Sequence, residues 1–171
     1  MNIYLKSLLY LAIFSILHFG YDLTHWAFLT PLCGINESVF QHLKMAFFSY
    51  LLASLIEYFV IRRKIRKDKN FWYPILLSTI VVPWFVILIW YLVPALWGKV
   101  ESPMLEILWA VFSTYSSGVM GGIIEKNIEE NVVTSSFKII VLILFIVSAF
   151  LYVWFTYRPP WIDLFINPEV L

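Results

Sequence analysis

Five long apolar stretches separated by short polar ones dominate the pattern of this chain. A bilayer core about 30 Å thick takes about 20 apolar residues of helix to cross. The stretches run from about Ile3 to Tyr21, Val39 to Ile61, Trp72 to Leu96, Met104 to Ile124 and Phe137 to Tyr157. Each predicts a membrane-spanning helix. The predicted fold class is all-α: a polytopic transmembrane bundle of five spans, with residues 1–171 as a single integral membrane domain. The polar segment between the first two spans predicts a re-entrant or interfacial element. Pro83, in the middle of the third stretch, removes a backbone hydrogen bond and predicts a kink. Gly118-x-x-x-Gly122 in the fourth stretch lets two helices approach closely, either inside this bundle or as a homodimer face.

Composition reinforces the pattern. Of 171 residues, 61% are hydrophobic and 13% charged. The mean hydropathy is +0.83. A soluble domain of this size has too little interior for so much apolar surface, so the lipid bilayer is the expected partner and nucleic acid is not. The first stretch reads as a retained helix: only Lys6 precedes its apolar run, and no small-x-small pattern follows before His18. The single cysteine, Cys33, excludes an intrachain disulfide. It reads as a small buried residue or as a metal ligand.

Net charge is +1 and says little, but its distribution predicts orientation. The segment 62–70 carries Arg62, Arg63, Lys64, Arg66, Lys67 and Lys69, which belong on the cytoplasmic side. Such a cluster also suits anionic headgroups. Lys6, Lys138 and the 125–130 loop fall on that side, with few cations opposite: Lys44, Lys99 and Arg158. The expected localisation is therefore the cell membrane, with a cytoplasmic N-terminus and an extracytoplasmic tail, 158–171. Glu57 is expected to pair with Arg62 or Arg63. Trp72, Tyr73, Trp97, Trp154, Tyr157 and Trp161 suit interfacial belts. Glu101, Glu106 and the tail acids Asp163 and Glu169 share the outer face with the first loop.

That loop and its flanks hold the candidate chemistry. His18, His25 and His42, the only histidines, lie within 25 residues that also contain Asp22 and Glu37. Ionisable groups in or beside membrane spans are costly and point to function. His18, Asp22 and His25 are spaced i, i+4, i+7, so a continuous helix aligns them on one face, with Ser15 on the same stripe. Two imidazoles and a carboxylate make half a site for zinc or another divalent ion. Alternatively, Asp22 fixes a histidine tautomer for proton transfer. Gly20 is a point at which the helix would end early and lose His25.

The second half of the window starts a helix. Asn36 suits an N-cap, Ser38-x-x-Gln41 matches a capping box, and Glu37 suits the positive end of the helix dipole. Those roles explain Asn36, Glu37 and Ser38 without any ligand. His42 follows Ser38 by one turn and is expected to point into the bundle, while Lys44 can snorkel outward. The candidate metal ligands are His18, Asp22, His25 and His42. Glu37 and Asp22 are the candidates for acid–base catalysis, and Lys44, Asn36 and Ser38 for substrate binding.

The run Asn36-Glu37-Ser38-Val39-Phe40-Gln41-His42-Leu43-Lys44, preceded by His-x-x-x-Asp, resembles the N-E-S-V-W-E-H-L-K signature of a family of small bacterial multi-pass membrane proteins. This chain has Phe40 and Gln41 where Trp and Glu are usual. The resemblance covers the whole chain in length and hydropathy. It implies that Asn36, Glu37, Ser38, His42 and Lys44 form the family's characteristic element, and it implies no reaction. The chain lacks H-E-x-x-H, G-x-S-x-G and Walker motifs. Three functions stay open: a metal-dependent hydrolase of a lipid or lipid-linked substrate, a small-molecule transport or binding subunit, and a scaffold whose histidines form a polar packing network.

Overall fold

The computed structural model describes residues 1–62, 70–98, 100, 102–131 and 133–167. The basic residues from Arg63 to Lys69, together with Lys99, Glu101 and Glu169, lie outside the described residues. Five long helices follow one another: α1 (Ile3–Thr24), α2 (Val39–Ile61), α3 (Trp72–Trp97), α4 (Pro103–Glu129) and α5 (Ser135–Tyr157). Short 3-10 turns cover Ala27–Leu29 and Asp163–Phe165, and no strand occurs among the described residues. All five long helices are long and apolar enough to cross a membrane. The protein is a multi-pass membrane protein.

Burial is inverted relative to a water-soluble domain. Lys6, Ser7, Gln41, Lys44, Ser49 and Glu57 are buried, whereas Leu23, Leu88, Met104 and Ile107 are exposed. Hydrocarbon solvates the aliphatic exterior, so polar groups find partners inside.

Helices α1, α2, α3 and α4 close a ring in which each packs on the next and α4 returns to α1. Helix α5 packs on α3 and reaches α2 through Phe145 and Tyr152, which contact the Phe47 ring. Tyr157 at the end of α5 bonds Thr30 (2.8 Å), so α5 ends where α1 ends. We call this the histidine end, and the opposite one the amino-terminal end.

The small residues of α4 explain how closely the ring closes. A Cβ on Gly118 would lie 2.7 Å from the Tyr10 ring, and one on Gly122 would lie 2.7 Å from Ile3. The glycine pair therefore faces α1 of the same chain. Helix α3 runs through both Pro83 and Pro94.

Three local expectations need correction. Helix α1 does not stop at Gly20 but continues to Thr24. Its glycine instead admits the loop: a Cβ there would sit 3.1 Å from Cys33 Sγ. The N-cap of α2 is Ser38 rather than Asn36, and its hydroxyl makes no capping bond, so the capping box does not form. Asn36 Oδ1 accepts from the Ser38 N–H (3.0 Å) in a local turn. Finally, Glu57 does not pair with Arg62, whose guanidinium lies over the Phe59 ring. Its partners are the amino group of Met1 (2.7 Å) and Lys6 Nζ (2.8 Å).

Candidate metal centre

The loop between α1 and α2 does not stay above the bundle. After the 3-10 turn, Cys33 N–H donates to Leu29 C=O (2.8 Å), and Gly34 N–H donates to Leu17 C=O (3.1 Å). The chain thus folds back alongside the last two turns of α1. Gly34 permits this approach, because a Cβ would meet Met45 Sδ at 2.8 Å. The descent brings Glu37 to the level of His18, and α2 then starts with His42 in its first turns.

Three ligand atoms converge there. Glu37 Oε2 lies 3.6 Å from His18 Nε2 and 3.4 Å from His42 Nε2. All three atoms lie within 4.8 Å of one another. These separations are long for direct hydrogen bonds. The two carboxylate–imidazole separations are close to the ~3.3 Å edge of a tetrahedron with metal–ligand bonds of about 2.0–2.1 Å, so an ion would draw the two imidazoles together. The two imidazole rings meet edge to face at 5.3 Å.

The tautomer of His42 is fixed from behind. Its Nδ1 lies 3.0 Å from Ser38 C=O. A carbonyl only accepts, so Nδ1 carries the hydrogen and a neutral ring presents its Nε2 lone pair to Glu37. A lone pair facing a carboxylate is unfavourable unless a cation or a second proton lies between them. An imidazole oriented by a backbone carbonyl on its far nitrogen is the usual support of a metal-bound histidine. Phe14 packs against both rings, at 6.2 Å from His18 and 6.5 Å from His42. The three side chains keep partial access, at 23% for His18, 36% for Glu37 and 31% for His42. A ligand can therefore reach them.

The other residues singled out from sequence lie elsewhere. Asp22 and His25 are exposed. His25 caps α1 with a left-handed backbone (φ 53°), and its ring rests on Tyr21 at 5.9 Å. The i, i+4, i+7 stripe is geometrically real, but each step carries the side chain about 1.5 Å per residue further from His18. Only His18 is level with the partners that α2 and the loop supply. Ser15 is exposed and bonds back to Leu11 C=O (3.0 Å). Cys33 is buried and outside the trio. Burial pushes its thiol up from the ordinary cysteine range, which disfavours the thiolate a metal needs.

Lys44 turns inward instead of snorkelling. It is fully buried. Its ammonium donates to Thr30 C=O (2.8 Å) and Thr156 Oγ1 (3.2 Å). With the Thr30–Tyr157 bond, it ties the loop to α2 and α5. It is a clamp and offers no cation to a headgroup. Ser38 is buried and Asn36 half-buried, both engaged in the turn that starts α2.

Sequence reading also missed a second ionic cluster, at the amino-terminal end. Lys6 Nζ bridges Glu57 Oε2 (2.8 Å) and Glu125 Oε2 (2.6 Å), and Tyr50 donates to Glu125 Oε1 (2.9 Å). The available signal was a lone Lys on the first span, a lone acid, Glu57, within the second, and Glu125 at the edge of the fourth.

The fold and the trio together define a five-helix membrane protein with a partly exposed imidazole–carboxylate cluster at one end. The chain belongs to a family of unknown function, DUF6512, whose model matches residues 2–169. No curated protein and no solved structure matches it.

Proposed function

We propose that this protein is a membrane metalloprotein that holds zinc, or a divalent ion of similar chemistry, on His18, Glu37 and His42. The observation that carries the reading is the convergence of three ligand atoms, with Glu37 at 3.4 and 3.6 Å from two imidazole nitrogens, one of them backed by the Ser38 carbonyl. Two histidines and one carboxylate with an open fourth position are a donor set of catalytic zinc sites, where structural sites fill all four positions. A zinc ion so bound lowers the pKa of its water to about 7 and makes a nucleophile at neutral pH.

The reaction proposed is hydrolysis of a lipid or lipid-linked substrate. Exposed Phe19, Leu23, Trp26 and Phe28 lie on the end of α1 and on the loop beside the trio, and suit an acyl chain. Glu37 serves here as a ligand, not as the base expected from sequence. Asp22, one turn beyond His18 on α1, is the carboxylate left for proton transfer at the mouth. The basic segment 62–70 supports the orientation that belongs to this reading, with the N-terminus in the cytoplasm and the trio on the extracytoplasmic side.

Metal analysis of the purified protein tests the reading. We expect one zinc-class ion per chain, lost in His18→Ala and His42→Ala. Absence of metal, with no change in thermal stability on adding zinc or EDTA, overturns it. If histidine-to-glutamine variants then lose stability, the trio is a packing network.

A further inference from the structure

We propose that a proton pathway runs along the inward face of α1, from the Glu57–Lys6–Glu125 cluster at the amino-terminal end toward the water-accessible histidine end, with Phe14 as its gate. Lys6, Tyr10, Phe14 and His18 are spaced i, i+4, i+8 and i+12 and so share one face of α1. Lys6, Tyr10 and Phe14 are buried, at 2%, 0% and 8% exposure.

Hydroxyl groups continue the polar route from the cluster. Tyr50 donates to Glu125 Oε1 (2.9 Å) and packs edge to face on Tyr10 (5.5 Å). Tyr10 OH lies 3.5 Å from Ser117 Oγ. Ser113 lies one turn from Ser117 toward the histidine end, and Ser49 adjoins Tyr50 on α2. Both serines are fully buried, and neither hydroxyl has a partner among the described residues. An orphan hydroxyl inside a membrane protein is costly, and water is the ligand that satisfies it. These two hydroxyls mark where water enters the column between Tyr10 and the histidine end.

Phe14 interrupts the route. Its ring lies between Tyr10 (6.3 Å) and the imidazoles of His18 (6.2 Å) and His42 (6.5 Å), with no hydrogen-bonding group of its own. Rotation of this one ring joins the water on its two sides. A proton taken up at the carboxylates passes through Tyr50, a water bridging the Tyr50 and Tyr10 hydroxyls, and Tyr10. It then passes through Ser117, once its hydroxyl turns from Thr114 C=O (2.7 Å), and further water, and leaves as hydronium at the mouth. Each hydroxyl gives up one proton as it receives another, so only O–H bonds exchange. No step needs an imidazole to titrate, and the route is independent of any metal. The charged and titratable groups facing Glu125 are Lys6 from α1, and Tyr50 and Glu57 from α2, with the Met1 amino group on Glu57. From helix α3 the Ser78 hydroxyl lies nearby, donating to Gly121 C=O (3.0 Å).

The test is proton influx into liposomes holding the full-length protein and an entrapped pH-sensitive dye, driven by a valinomycin-set potassium potential. Wild-type vesicles should acidify about tenfold faster than protein-free ones, a barrier difference of about 1.4 kcal/mol. Phe14→Ala should be faster again. Tyr50→Phe, which keeps the ring and removes the hydroxyl, should return influx to the protein-free rate. Wild-type influx at the protein-free rate overturns the pathway. So does an unchanged rate in Tyr50→Phe that elutes as a folded species.

Discussion

The bundle carries an ionisable cluster at each end, both with members on α1 and α2, and the two clusters are built to opposite specifications. In the amino-terminal cluster Glu57 and Glu125 each have a cation within 2.8 Å, and Lys6 and Glu57 are buried. At the histidine end the closest ionic separation is 3.4 Å, and about a third of Glu37 is open. The first cluster is neutralised by its own members. The second is a set of lone pairs with space between them. Charges closed on themselves hold helices together, and donors held slightly apart leave room for a ligand.

The sharpest way to break this contrast is to remove the cation from the closed end. Lys6→Met leaves Glu57 and Glu125 without their shared ammonium, and breaking a buried pair from one side costs about 3–5 kcal/mol. Thermal unfolding in detergent should show that loss. His18→Gln, measured in EDTA, should cost less than about 1 kcal/mol, as is usual away from a packed core. If the two variants lose stability equally, the two ends are not different in kind.

Ligand addition sharpens the same contrast from the other side. A cation that binds only the folded protein stabilises it by about 2.7 kcal/mol at a hundredfold excess over its dissociation constant. Zinc should therefore raise the unfolding temperature of the wild type and of Lys6→Arg, and should leave His42→Ala unmoved. Protons compete with metal for imidazole nitrogens, so the gain should shrink as pH falls. A zinc effect that survives in His42→Ala removes His42 from the ligand set.

Glycine replacement compares the packing of the two ends. A Cβ on Gly121 would lie 2.5 Å from Val82 and 2.7 Å from Tyr50 OH, both in the packed ring of helices. Gly121→Ala should cost about 1–3 kcal/mol as overpacking. A Cβ on Gly34 meets Met45 Sδ and Cε, the far end of a flexible side chain that can move aside. Gly34→Ala should cost less, by the same melting measurement. The reverse order would mean that the loop, and not the ring, is the rigid element.

Much of this architecture was legible in the chain. Apolar length located all five helices, because a bilayer demands about 20 residues and tolerates little else. The window of histidines also pointed to the region where the trio forms. Membership of the trio was not legible, because periodicity gives direction around a helix axis and not depth along it. His18 and His25 share a face, yet only His18 is level with α2. Glu37 arrives because Gly34 lets the loop descend, a tertiary event with no local pattern. Lys44 was read as a surface cation because nothing in sequence announced Thr30 and Thr156 as its partners. The Lys6 cluster was missed for the same reason: its members lie on three helices, and Lys6 and Glu125 are 119 positions apart.

The smallest predicted effect separates the trio from the stripe that suggested it. His25 holds a left-handed backbone, φ 53°, that costs an ordinary residue about 1–2 kcal/mol and glycine almost nothing. Part of that relief is cancelled because glycine gains freedom in the unfolded chain. His25→Gly should thus raise stability by at most about 1 kcal/mol. A ligand to the metal could not be replaced at that profit, since its loss would erase the stabilisation by zinc. The variant should melt slightly higher than the wild type and respond to zinc to the same extent. Asp22→Asn should likewise keep its zinc response, because Asp22 lies outside the trio and its proposed role is toward the bound water rather than the ion. Loss of the zinc response in His25→Gly would bring the loop histidine into the coordination sphere and redraw the site around α1 alone.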